Sequence, residues 1–347
     1  MKKNYFSYLL LIFVFALGTV VSCTKEGPAG PAGTAGTNGT NGSDGTNGVD
    51  GNVSCLQCHT LAIMDDIDAQ YATSGHGAGA NVAYAGGRNG CAMCHSDQGF
   101  IETQATGRDT TATGFAIPLK INCGTCHNDH VTFDFEVDGY VVPLRGNNPV
   151  ELLMYRENGE SVMLDLGDNS NLCANCHQPR RTGPVDDGTG NFYISSTHYG
   201  PHHGPQATLL EGIGGAELGS GYPTPGTDPH RTNASCVKCH MAEYAAEEGG
   251  HSWHASLDAC KVCHADATSF DVGGKQTEIA GLIEDLKLGL IVQGLLDAEG
   301  HPVVGTYPIA HAEAFYNYAL LVDDRSDGVH NYDYIKTLLI NSINAVD

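Results

Sequence analysis

The sequence predicts a mostly irregular fold of short α-helices, with a small β-hairpin insertion and a C-terminal helical segment. Three observations carry this. From Gly51 to about Phe270 helical periodicity is poor, and Gly, Pro, Asn and Asp break the chain into short segments. Between about 131 and 166, two stretches read as strands closed by turns. From about 271 onward, apolar residues recur at helical spacing.

The β insertion rests on alternation. Val131, Phe133, Phe135 and Val137 alternate with Thr132, Asp134, Glu136 and Asp138, and Asp138-Gly139 precedes Tyr140-Val141-Val142. A second hairpin is expected to run from Leu152 to Arg156, turn near Asn158-Gly159, and return from Val162 to Leu166. The helical segment, 271–347, rests on Ile279, Leu282, Ile283, Leu286 and Leu290, then on Ala310, Ala314, Phe315 and Tyr318. Asn331 is placed to cap a last helix through Ile335, Leu338 and Leu339. Three amphipathic helices are expected, packed beside residues 52–270.

The chain has 347 residues, enough for two domains or one with appendages. Aromatic residues make up only 7% and glycines number 45, so an ordinary apolar core is short of material. The formal charge is −23, and loss of residues 1–22, which hold Lys2 and Lys3 and no acid, makes it −25. Such a field repels phosphate backbones and excludes nucleic acid as a partner. It suits cationic proteins, metal ions or mineral surfaces, or serves solubility alone.

The N-terminus reads as a targeting signal over 1–22, with Lys2 and Lys3 ahead of an apolar run from Phe6 to Val21. Val20-Val21-Ser22-Cys23 resembles the lipobox of bacterial lipoproteins, which implies lipid on Cys23. Of the 13 cysteines, twelve fall into pairs and Cys23 is the odd one. Thr24 follows, where the resemblance favours outer-membrane sorting. From Gly27 to Gly51, glycine stands at every third position, the collagen period. Proline occurs there only at Pro28 and Pro31, so 23–51 is read as a flexible tether, with a trimerising stalk as the alternative.

Six times the chain reads Cys, two residues, Cys, His: Cys55/Cys58/His59, Cys91/Cys94/His95, Cys123/Cys126/His127, Cys173/Cys176/His177, Cys236/Cys239/His240 and Cys260/Cys263/His264. This is the c-type haem attachment spacing, in which two thiols form thioethers with the haem vinyl groups and the adjacent His binds iron. Zinc ribbons and disulfides also use Cys-x-x-Cys, but neither requires His after every second Cys. Six such coincidences have a chance of order 10⁻⁸.

With these motifs the chain resembles the multihaem c-type cytochromes, over Cys55 to His264. The resemblance implies six haem c groups, thioether anchors at the twelve paired cysteines, and the six motif histidines as proximal iron ligands. It implies a fold of short helices wrapped around haems, which then form most of the core and leave the haem-free chain unfolded. Ser196-Thr197-His198-Tyr199-Gly200-Pro201-His202-His203-Gly204-Pro205-Gln206 looks like a segment that such proteins use for distal ligands. Gly328-Val329-His330-Asn331 is similar to the His at the start of a C-terminal helix in the family that includes pentahaem nitrite reductases.

Eleven histidines remain for the far face of the irons. The expected set is His76, between glycines; His130, too close to His127 to cap the same haem and so serving a neighbour; His198, His251 and His330; and His202 in preference to His203. His230, His254, His301 and His311 are read as surface or structural groups. Met93 and Met241 sit too close to their own motifs to reach the iron, and Met64, Met154 and Met163 are read as packing.

Iron with two axial ligands has no open position, so the expected function is electron transfer without catalytic residues, through redox partner proteins or extracellular acceptors. An exported, lipid-anchored protein at the outer membrane is expected. One alternative is a reductase of nitrogen or sulfur oxyanions, with an open haem and Arg145, Arg156, Arg180 or Arg181 holding the anion. Another is a filament-forming cytochrome. Asp186-Asp187-Gly188 is read as a solvated turn in preference to a calcium loop.

Overall fold

The computed structural model describes residues 56, 58–130, 142–156, 158–186 and 188–347. The signal and tether readings, Cys23, Cys55 and the first hairpin, 131–141, lie outside the described residues. The motif region and the C-terminal helices belong to one unit, Asn52–Asp347.

Helix α1, Leu61–Thr73, starts at Thr60, whose hydroxyl accepts from the Ile63 amide at 3.2 Å. Helix α2, Asp97–Thr106, starts where Ser96 accepts from the Gly99 amide at 3.1 Å and stops at Gly107 with φ 66°. Both are ordinary hydroxyl caps, the second ending in a left-handed glycine.

Strands β1, Val150–Glu151, and β2, Met163–Leu164, pair antiparallel with Val150 opposite Leu164. The expected second hairpin exists, but its outgoing strand lies earlier: Leu153–Arg156 is a helical turn. Leu152, Leu164 and Leu166 bury their side chains against Ala174, Ala207 and Leu210, which keeps this hairpin beside the motif at Cys173. A second sheet pairs β3, Asn191–Ile194, with β4, Gly305–Pro308, placing Ile194 opposite Gly305. Nothing local marks that pairing, since more than a hundred residues separate the strands.

Helices α3, Lys275–Val292, α4, Ile309–Asp324, and α5, Tyr332–Val346, pack together. The Asn331 side chain caps α5 by accepting from the Tyr334 amide at 3.1 Å. Ile279, Leu286, Leu290, Phe315, Leu320, Ile335, Leu338 and Leu339 form their shared core. These residues make a conventional apolar cluster, as the three expected amphipathic helices require. Among the described residues no helix is long and apolar enough to cross a membrane.

The helices also hold the loops above them. Asn317, fully buried, accepts from the Ala216 amide at 2.7 Å and donates to the Ala216 carbonyl at 2.8 Å and to Ser342 at 3.0 Å. The Tyr316 hydroxyl donates to the Arg181 carbonyl at 2.6 Å, and the Gln206 amide donates to the Asp323 carbonyl at 3.1 Å. Such satisfied buried polar groups pin a loop at defined points. The segment so pinned carries His202.

Candidate metal centres

Five of the motifs, all within the described residues, are built on short helical turns. Ala92–His95, Cys123–Cys126, Ser170–Ala174, Cys236–His240 and Leu257–Lys261 are such turns. The His amide donates back to the first Cys carbonyl at 3.2 Å for His95, 2.8 Å for His127, 2.9 Å for His177 and 2.8 Å for His264. Residues three and four apart on a helix share a face. The turn therefore presents both thiols and the imidazole together. At the third motif Asn122 and Thr125 close a capping box, and the Thr125 hydroxyl donates to Asp97 at 2.6 Å, tying that turn to α2.

Beyond the motifs, imidazoles meet in pairs. His59 faces His130 at 6.3 Å between ring centres, His95 faces His202 at 6.3 Å, and His127 faces His251 at 6.2 Å. His177 faces His76 at 6.2 Å, and His264 faces His230 at 6.1 Å. Each of these pairs joins one motif His to one His from elsewhere. A metal–imidazole nitrogen bond is about 2 Å and the ring centre lies about 1 Å behind its nitrogen, so two imidazoles sharing one metal ion would have centres about 6 Å apart; these five pairs are the residues that would hold such an ion.

The sixth motif His, His240, donates from Nδ1 to the Trp253 carbonyl at 2.9 Å. His330 lines the same cavity as His240 and Cys236, and its charge adds to burial in lowering the His240 pKa.

Electrostatics suit ligation. Burial lowers the pKa of His95, His127, His177, His240 and His251, and takes His76 and His202 down to about 4. For His76 the His177 charge adds to burial, and for His202 the Arg180 guanidinium comes second. By surface area His177 and His202 stand open to the cavity and the others are half-buried, and an imidazole held neutral in this way keeps a lone pair for a metal. The tautomers follow from the partners. His177 Nδ1 faces Gln206 Oε1 at 3.2 Å and His230 Nδ1 faces the Val329 carbonyl at 2.5 Å. Those oxygens only accept, so Nδ1 holds the proton and Nε2 is left for the metal.

These side chains line one continuous cavity of about 2140 Å³. A site for a single drug-sized ligand measures roughly 300–1,000 Å³, so this space suits several large groups. The motifs abut along it. The Cys94 and Cys176 thiols lie within hydrogen-bonding reach of each other, as do those of Cys173 and Cys236. The Ser256 amide donates to the Cys239 carbonyl at 3.0 Å, joining the last two motifs. Cys58, Cys123 and Cys263 are exposed, so the first, third and last motifs each present a cysteine outward.

Two placements depart from expectation. His198 is exposed, with no ring contact among the described residues, whereas His230, read as a surface group, faces His264. Asp228 accepts from the His230 amide at 2.7 Å and Pro229 opens the turn Pro229–Asn233. That Asp-Pro start was the signal in the sequence for a fixed His. His203, exposed, pairs with Asp323 at 2.8 Å and faces no motif ring. Of the arginines considered for an anion, Arg156 pairs with Asp109 at 3.0 Å and with Glu151, and Arg145 donates to the Gly124 carbonyl at 3.0 Å. The Asp186 side chain accepts from Gly188 and Gly190 at 2.8 and 2.9 Å, closing a turn on itself.

Motif turns, paired imidazoles and a shared cavity are the parts of a multihaem c-type cytochrome, and the chain has that fold. The comparisons agree. The chain is 24% identical over 337 aligned residues to the C-type polyheme cytochrome OmcB of Geobacter sulfurreducens, covering 76% of this chain and 44% of that protein. The same match is found in a second strain of that organism. Among solved structures it resembles the outer cell wall cytochrome OcwA, with a TM-score of 0.53 and 20% identity over 81% of this chain and 50% of that one. The chain thus spans about half the length of the relatives it matches. No family model matches it.

Proposed function

We propose that the chain is an electron carrier holding six haem c groups, each with two axial imidazoles. The carrying observation is the recurrent separation of 6.1–6.3 Å between a motif His and a second His. Cys55, Cys58, Cys91, Cys94, Cys123, Cys126, Cys173, Cys176, Cys236, Cys239, Cys260 and Cys263 anchor the groups. His59, His95, His127, His177, His240 and His264 hold one face. His130, His202, His251, His76, His330 and His230 hold the other, with His230 in the place that the residue pattern assigns to His198.

Haem c supplies reversible one-electron chemistry at iron when bound. The protein's part is to fix both axial groups, so that little rearranges when an electron arrives. It also keeps neighbouring motifs in contact along one cavity. The motifs with an exposed cysteine, at Cys58, Cys123 and Cys263, are the surface contacts for partners, which are redox proteins or extracellular acceptors. The lipobox-like Cys23, the leader and the likeness to an outer cell wall cytochrome support an exported, lipid-anchored protein at the outer membrane. The collagen-period tether permits trimers.

The test is electron paramagnetic resonance on the matured protein, with haem counted by mass. Six low-spin haems per chain are expected. A high-spin signal that shifts with nitrite or hydroxylamine overturns the carrier reading in favour of an oxyanion reductase.

A further inference from the structure

The proposed ligands differ in what holds their second nitrogen. His230, His240 and His177 direct Nδ1 to neutral oxygens, those of Val329, Trp253 and Gln206. His330 directs Nδ1 to a carboxylate, Asp324 Oδ1, at 2.6 Å. The Asp324 side chain is only 2% exposed, and its other oxygen accepts from the Ser326 hydroxyl. Asp324 ends α4 and His330 stands just before α5, so two packed helices set the pair. His76 is the opposite case. Its Nδ1 is buried without any hydrogen-bond partner and the ring packs edge-on to Trp253, centres 4.8 Å apart.

A carboxylate on the far nitrogen makes an imidazole a stronger donor, and a stronger donor favours the more highly charged iron. An imidazole with no partner is the weaker donor. The two extremes fall on neighbouring sites, because Cys173 of the His177 motif touches Cys236 of the His240 motif. We propose that Asp324 is a positioning residue that makes the His240–His330 haem the lowest in potential of the six. It sets a step against the adjacent His177–His76 haem, where an electron dwells. This rests on the six-haem reading above.

The experiment is a spectroelectrochemical titration of the matured full chain with parallel electron paramagnetic resonance. Wild type is compared with Asp324→Asn, Ser326→Ala and the control Asp323→Asn, whose carboxylate meets the exposed His203. Asp324→Asn is expected to move the lowest of the midpoints upward and leave the others in place. Ser326→Ala frees the carboxylate to pull harder on His330, so it is expected to move the same midpoint downward. Asp323→Asn is expected to overlay wild type. Opposite signs at one midpoint cannot come from general loosening, and the Ser326 variant carries the test if Asp324→Asn does not mature. Curves that overlay wild type in both variants, with all six haems low-spin, overturn this inference and leave the carrier reading standing. High-spin haem already present in wild type overturns the carrier reading instead.

Discussion

His130 faces His59 with ring centres 6.3 Å apart, although it stands three residues beyond His127. His127 in turn faces His251 at 6.2 Å. The helical turn Cys123–Cys126 ends at His127, whose backbone is extended (φ −92°, ψ 142°), so the chain leaves the turn and carries His130 away from its neighbour. On the six-haem reading, the segment just after the third motif would thereby supply a ligand to the first. Replacing His130 or His251 by Ala is expected to convert one low-spin haem to high-spin in each case, and the double variant two. Independent sites add in this way. A double variant with one converted haem sinks the separate assignment.

His230 and His198 make a sharper pair, because residue pattern and geometry point to different ones. His230→Ala is expected to open one haem, seen as a high-spin band in absorption that is restored to low-spin by added imidazole. His198→Ala, whose ring meets no motif imidazole among the described residues, is expected to leave the spectrum unchanged. The reverse result returns His198 to the ligand set.

The motif turns and the C-terminal helices were legible in the sequence because their signals are local. A Cys-x-x-Cys-His run needs no partner to be recognised, and Ile279, Leu286 and Leu290 mark a buried stripe by spacing alone. Asn331 announced its helix as a cap does. The histidines that face the motif rings were less legible because their pairing is tertiary. His230 meets His264 only through the path of the chain between them, and motif-like surroundings favoured His198 instead. The pairing of β3 with β4 was invisible for the same reason, as was the apolar core shared by Ile194, Leu209 and the three helices. Leu153–Arg156 reads as strand by composition, yet it turns into helix once Leu152 is buried beside β2.

Glycine positions separate packing from propensity. A Cβ on Gly99 meets the Ala92 carbonyl oxygen at 2.2 Å and the Ala92 Cβ at 2.6 Å, so α2 lies directly on the turn that carries Cys94 and His95. Both contacts are to backbone or its first carbon, which cannot swing aside. Gly99→Ala is expected to destabilise by about 1–3 kcal/mol, the usual cost of overpacking. Gly281, on the exposed side of α3, has nothing within 4 Å of such a Cβ. Gly281→Ala is expected to stabilise by up to about 1 kcal/mol through helix propensity. Denaturant titrations followed by far-ultraviolet circular dichroism check both, and equal effects at the two positions contradict the packing argument.

Haem removal separates the two kinds of core. The motif region surrounds a cavity of about 2140 Å³, and an apolar space of that size does not persist unfilled. Helices α3, α4 and α5 bury Leu286, Leu290, Leu320 and Leu338 against one another without the cavity. A chain made without residues 1–22, in a compartment that attaches no haem, is therefore expected to lose structure unevenly. Hydrogen exchange followed by mass spectrometry is expected to show protected amides within 275–346 and rapid exchange through 58–130. Slow exchange across both regions in the haem-free chain contradicts a motif region built on porphyrin. Rapid exchange across both means that the helical cluster depends on haem as well.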